Sequence, residues 1–232
     1  MKNYEILLFD ADNTLLDFTK AEELAFRETC HASDMEYSDE LYKLYSEIND
    51  SLWKKIEKKE ITLDFLKLER FRLLMLAVGF EENDNMMTEA ERMRDTYIQS
   101  LGKQACLVDG AADICEKLSK RYRMYIITNG ISDIQRSRIE KSGLDRYFVD
   151  KFVSEEIGAA KPSPAYFDYV LSHIGESDKS KYLVIGDSLT SDCDGAIAYG
   201  IDICRFNPNN LPDNGRKLTY NITKLSELES IL

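Results

Sequence analysis

The sequence predicts an α/β fold in which a parallel sheet with helices on both faces carries an inserted all-helical domain. Three observations predict it. A short apolar run, "YEILLF", stands alone at residues 4–9; the block that follows repeats its apolar residues at helical spacing; and from about residue 105 short β-like runs alternate with helical stripes. An isolated strand needs partners, and the later runs supply them, so both ends of the chain build one core. The expected division is a core of residues 1–16 and 96–232 with a helical domain at 17–95.

Each element has its own signal. Leu41, Leu44, Tyr45, Ile48, Leu52 and Ile56 fall on one helix face, and Phe71, Leu74, Met75 and Val78 form another before Gly79, a helix stop. Met86, Ala90, Met93, Tyr97 and Leu101 make a third stripe that ends at Gly102. Beyond it, "MYIITNG", "KFVSEE", "YLVIGDS" and "IDICRF" read as strands, separated by stripes such as Tyr166, Phe167, Val170, Leu171 and Ile174. That alternation predicts βαβ units.

With 232 residues, 44% of them hydrophobic, the chain is able to bury a sizeable core. A net charge of −12 disfavours binding to nucleic acid through phosphate contacts. A small anionic substrate therefore needs a metal or focused cations. Cys30, Cys106, Cys115, Cys193 and Cys204 show no metal-ligand spacing, and their odd number argues against a disulfide framework. No apolar run approaches the roughly 20 residues of a membrane span. The expectation is a soluble cytoplasmic protein, monomer or homodimer, with a small-molecule partner and neither nucleic acid nor membrane.

Ligands of open parallel sheets sit beyond the carboxyl ends of the strands. Polar residues stand there in this sequence. Asp10 and Asp12 follow the first run, Thr128 and Asn129 the second, and Asp187 leaves "YLVIG" directly after Gly186. Residues i and i+2 of an extended segment share a side, so Asp10 and Asp12 face one cavity, and paired carboxylates suit a nucleophile and a proton carrier. An Asp pair also serves turns, and Asp192 in "GDSLTSD" also suits a helix cap. Oxygen ligands with no His or Cys nearby favour Mg²⁺, which would neutralise carboxylates that otherwise repel one another. The Thr128 hydroxyl and the backbone donors after it match a phosphoryl oxygen. Pro162 pushes Lys161 out of the helical region; a lone lysine also serves as a solvated surface charge, and here its charge would balance a phosphoryl group.

Four segments in this order, "DADNT", "ITNG", "AAKP" and "GDSLTSD", resemble the motif set of the haloacid dehalogenase (HAD) superfamily, whose core is a Rossmann-like sheet with an inserted cap domain. The resemblance implies that Asp10 is a nucleophile that becomes an aspartyl-phosphate and that Asp12 is the general acid/base. It also implies that Asp10, the backbone carbonyl of Asp12, and Asp187 hold Mg²⁺ with Asp192 in the outer sphere. Thr128 and Asn129 then bind the phosphoryl group, which Lys161 stabilises. Dehalogenases of this fold lack Asp at the position of Asp12, so its presence implies phosphoryl transfer.

Within the superfamily, "FDADNTLLDF", "NDSLW", "RIEKSGLDRYF", "SEEIGAAKPSPAYFDYVL" and "LSELESIL" are similar to the YjjG-type pyrimidine 5'-nucleotidases; Asn13 departs from that pattern, where Glu or Gly is common. The resemblance implies a phosphatase acting on nucleoside 5'-monophosphates. Substrate choice is expected in the cap, where Asn49 and Trp53 share a helix face and suit a base, although a tryptophan also serves packing. Phe18 is a second candidate, with the same alternative. His31 and His173 lie outside every motif. The competing expectations are a phosphatase for small metabolites such as phosphoglycolate or sugar phosphates, a phosphomutase, and a noncatalytic phosphate-binding module.

Overall fold

A computed structural model describes residues 3–33 and 35–232. The chain divides into two compact units, one of Met1–Phe18 with Ala105–Leu232 and the other of Thr19–Gln104. The boundary expected at residue 95 falls inside a helix that runs on to Leu101, in keeping with the stripe that reaches Leu101 in the sequence.

The first unit is built on six parallel strands: β1 (Ile6–Phe9), β2 (Arg123–Thr128), β3 (Asp150–Val153), β4 (Tyr182–Gly186), β5 (Asp202–Phe206) and β6 (Tyr220–Ile222), in the order β3-β2-β1-β4-β5-β6. Alternate side chains feed two cores. Leu7, Phe9, Met124, Ile126, Leu183 and Ile185 pack on one face, with Ile114 and Leu118 of a helix at Ala111–Leu118. Ile6, Leu8, Tyr125, Ile127 and Val184 pack on the other, under the Tyr166, Phe167 and Val170 stripe of the helix at Pro164–Ile174. Both faces are apolar, which is why the central strands read as unbroken apolar runs.

Two strand expectations need correction. "KFVSEE" is a strand only to Val153; Ser154–Ile157 then form a short helix. The edge strand β6 lies outside the expected set, because only Ile222 of its three residues is buried and no apolar run marks it.

Among the described residues the second unit contains four helices: α1 (Phe18–Ala32, which starts on the last residue of the first unit), α2 (Asp39–Glu57), α3 (Leu63–Ala77) and α4 (Asp84–Leu101). Ser38, Thr62 and Asn83 cap α2, α3 and α4 by accepting from the backbone N–H three residues on. Phe26, Tyr45, Phe71 and Tyr97 form a buried aromatic row, with centroid separations of 4.4 Å between Phe26 and Tyr45 and 5.6 Å between Tyr45 and Phe71. Val78, placed on the α3 stripe by its spacing, is exposed past the helix end. Among the described residues no helix is long and apolar enough to cross a membrane.

Candidate active site

β1 lies between β2 and β4, with Phe9 in register with Ile126 and Ile185, so the next residue of each strand opens onto the same edge. Asp10 leaves β1 there, its N–H donating to the Ile185 carbonyl at 2.8 Å. Asp187 follows Gly186 at the end of β4, and Thr128 ends β2. The order of strands thus gathers residues from positions 10, 128 and 187 at one sheet edge.

Carboxylate oxygens of Asp10, Asp187 and Asp192 lie within 4.8 Å of one another. Asp192 is fully buried in a π-helical turn at Leu189–Cys193, and the helix that follows makes no side-chain cap with it, which disposes of the capping alternative. Its close approach to β4 requires glycine at 186, because a Cβ there would stand 2.3 Å from the Asp192 carboxylate.

Lys161 enters this group from the other side. It is 1% exposed, and its Nζ donates to Asp10 Oδ1 and Asp192 Oδ1, both at 2.7 Å, and to the Ile127 carbonyl at 2.9 Å. Burial alone would lower the lysine's pKa, but Asp10 and Asp192 outweigh it and hold the ammonium charged. Burial pushes Asp10 well above the carboxylate range, with Asp192 and Asp187 adding to the rise and Lys161 opposing it. Burial and the neighbouring Asp192 push Asp187 up to about 7. Three carboxylates against one lysine leave a negative pocket with only oxygen donors. That donor chemistry fits a hard divalent cation held by Asp10, Asp187 and Asp192.

Asn129 uses its side chain on the lysine loop, donating to the Lys161 carbonyl at 2.7 Å and accepting from the Lys161 N–H at 2.9 Å. Its side-chain amide is therefore engaged in holding Lys161. Asn13 is left-handed at φ 57°, and its Oδ1 accepts from the Phe18 N–H at the start of α1, a structural role for the residue that departs from the nucleotidase pattern.

Asp12 points its carboxylate to Gln135 and Arg138, to neither of which the sequence assigned a role, although Arg138 opens the stretch "RIEKSGLDRYF". Arg138 Nη1 donates to its Oδ1 at 2.5 Å, and Gln135 Nε2 donates to its Oδ2 at 2.6 Å and to Thr128 Oγ1 at 2.7 Å. Phe18 lies against the same guanidinium, 5.4 Å from ring centroid to Cζ. Gln135 and Arg138 sit three residues apart on α5 (Ser132–Lys141), a helix of polar composition, yet both are buried. The signal in the sequence is their spacing on one face of the helix that directly follows "ITNG".

Asn49 belongs to the helical unit. It is 1% exposed, donates to Glu22 Oε1 at 2.9 Å and accepts from Arg70 Nη1 at 3.4 Å. A buried amide needs such partners, and Asn49 finds both inside the helical unit. Trp53, its neighbour on that face, is half-buried.

The model of the haloacid dehalogenase-like hydrolases matches residues 4–200. This chain belongs to that family. The hydrolase is 37% identical to YfnB of Bacillus subtilis, a protein named at the level of HAD-hydrolase, over 100% of this chain and 97% of that one. An orthorhombic crystal form of YfnB bound to magnesium superposes with a TM-score of 0.91, covering 100% of this chain and 99% of that chain. The hydrolase is also 34% identical to the pyrimidine 5'-nucleotidase PynA of Streptococcus pneumoniae over 97% of this chain and 93% of the relative. The pyrimidine 5'-nucleotidase YjjG of Escherichia coli is 30% identical over 99% of this chain and 98% of its own.

Proposed function

We propose that the protein is a Mg²⁺-dependent phosphomonoesterase that hydrolyses nucleoside 5'-monophosphates, with pyrimidine nucleotides preferred. The observation that carries the reading is a buried carboxylate, Asp10, bonded to Lys161 at 2.7 Å and grouped with Asp187 and Asp192. The likeness to PynA and YjjG over nearly the whole chain supports the choice of substrate. The five free cysteines support a reduced cytoplasmic setting.

In the proposed reaction, Asp10 attacks phosphorus and the bond from phosphorus to the ester oxygen breaks. Asp12 gives its proton to that oxygen, releasing the nucleoside. Water then attacks the phosphorus of the aspartyl-phosphate while Asp12 takes its proton; the bond to Asp10 breaks, releasing phosphate and restoring the carboxylate. Thr128 donates to a phosphoryl oxygen, and Lys161 balances the charge that gathers there. Mg²⁺, held by Asp10, Asp187 and Asp192, would supply charge neutralisation at the phosphoryl oxygens.

A panel of nucleoside monophosphates, sugar phosphates and phosphoglycolate tests the substrate. Fastest phosphate release from UMP, CMP or dTMP is the expected result. Release from a sugar phosphate or phosphoglycolate alone would assign the site to small-metabolite chemistry.

A further inference from the structure

Asp12 is gripped at both oxygens by one helix. Arg138, fully buried, binds Oδ1, and Gln135 binds Oδ2; the two donors are also bonded to each other, Arg138 Nη1 to Gln135 Oε1, at 3.1 Å. Burying a guanidinium is costly unless its partner is held in good geometry, and here the partner is the proposed proton carrier. Gln135 does a second thing. The hydroxyl of Thr128 accepts from the same amide nitrogen that grips Asp12, which leaves the hydroxyl hydrogen for another acceptor. One amide therefore ties the proposed phosphoryl-binding hydroxyl to the proposed proton carrier. The backbone makes room for this arrangement, because a Cβ at Gly130 would stand 2.8 Å from Gln135 Cγ and 2.9 Å from its Nε2.

We infer that Gln135 and Arg138 are positioning residues, which hold Asp12 where it hands a proton to the leaving oxygen. The inference rests on the phosphomonoester reading above. A helix anchor without a chemical role would make the same bonds, so the test must separate the two. The separation lies in the leaving group. An alkyl phosphate such as a nucleoside 5'-monophosphate expels an alkoxide that needs a proton as it departs, whereas p-nitrophenyl phosphate expels a stable phenolate. Because kcat/KM covers the steps up to release of the first product, loss of proton positioning falls on the alkyl ester alone.

The experiment measures kcat/KM for both esters in the Mg²⁺-loaded wild type, Gln135→Leu, Arg138→Met and Arg138→Lys, each also combined with Asp12→Asn. The expected result is a fall of about 10- to 100-fold on the nucleotide and less than about 3-fold on the aryl ester. Arg138→Lys should recover part of the nucleotide loss, and neither Gln135→Leu nor Arg138→Met should add to the loss caused by Asp12→Asn. Equal losses on both esters, or a full further loss in the Asp12→Asn protein, would overturn the inference. If Arg138→Met fails to fold by circular dichroism, Gln135→Leu carries the same expectation without removing a charge. A wild type that hydrolyses neither ester would instead refute the function proposed above, so the two failures are distinguishable.

Discussion

Lys161 offsets two carboxylates at 2.7 Å inside a pocket where Asp187 supplies a third. Removing one partner from a buried ion pair costs about 3–5 kcal/mol, so Lys161→Met should unfold well below the wild type in a thermal melt without metal. Added Mg²⁺ should recover part of that loss. Asp187→Asn should do the reverse: it removes like-charge repulsion and should raise the metal-free Tm by about 2–4 °C, equivalent to about 1 kcal/mol at this chain length, while abolishing Mg²⁺-dependent turnover. An unchanged or lower metal-free Tm in Asp187→Asn would contradict the repulsive character of the pocket. Asp10, Asp12, Thr128 and Asp187 were legible in the sequence because parallel sheets deliver their strand ends to one edge. Gln135 and Arg138 were not, because a polar helix reads as a solvated one until the partner that buries it is known.

At the scale of elements, the turn after β4 works only with glycine. A Cβ at residue 186 would stand 2.3 Å from Asp192 Oδ2 and 2.4 Å from its Cγ, and Asp192 is itself pinned by Lys161 and by the Ser188 N–H at 3.2 Å. Gly186→Ala should therefore destabilise the protein by about 1–3 kcal/mol, as overpacking does, and weaken Mg²⁺ binding measured by calorimetry. Wild-type stability and metal affinity in this variant would show that Asp192 moves freely. The strands β1, β2 and β4 were legible because burial on both faces leaves unbroken apolar runs, and β5 because its apolar residues persist around the buried Arg205. β6 was not, since Tyr220 is half-buried and Asn221 exposed, leaving Ile222 as the one apolar anchor of a three-residue edge strand. The partners of Asn49 were not legible for a related reason: spacing places a residue on a helix face, but does not say which neighbours, here Glu22 and Arg70, that face meets.

At the scale of the whole molecule, the acidic pocket ties stability to pH and metal. Burial raises Asp187 from 3.8 to about 7 and displaces Asp10 in the same direction, so above pH 3.8 these two groups hold more protons in the folded metal-free protein than in the unfolded chain. The stability that Asp187 contributes is complete below 3.8 and is lost as pH rises through about 7. A divalent ion held by these carboxylates would replace the missing protons, so the rise in Tm on adding Mg²⁺ should be larger at about pH 8 than at about pH 5. Equal rises would deny that metal and protons compete for these carboxylates. The central claim is a bond from the Asp10 carboxylate to phosphorus. Its most direct measurement is mass spectrometry of protein quenched in acid during turnover. The expected result is one phosphoryl group on the peptide that contains Asp10, absent from the Asp10→Asn protein, which should also lose turnover. Full phosphate release by Asp10→Asn, or release by the wild type with no phosphoryl group ever found on that peptide, would contradict it.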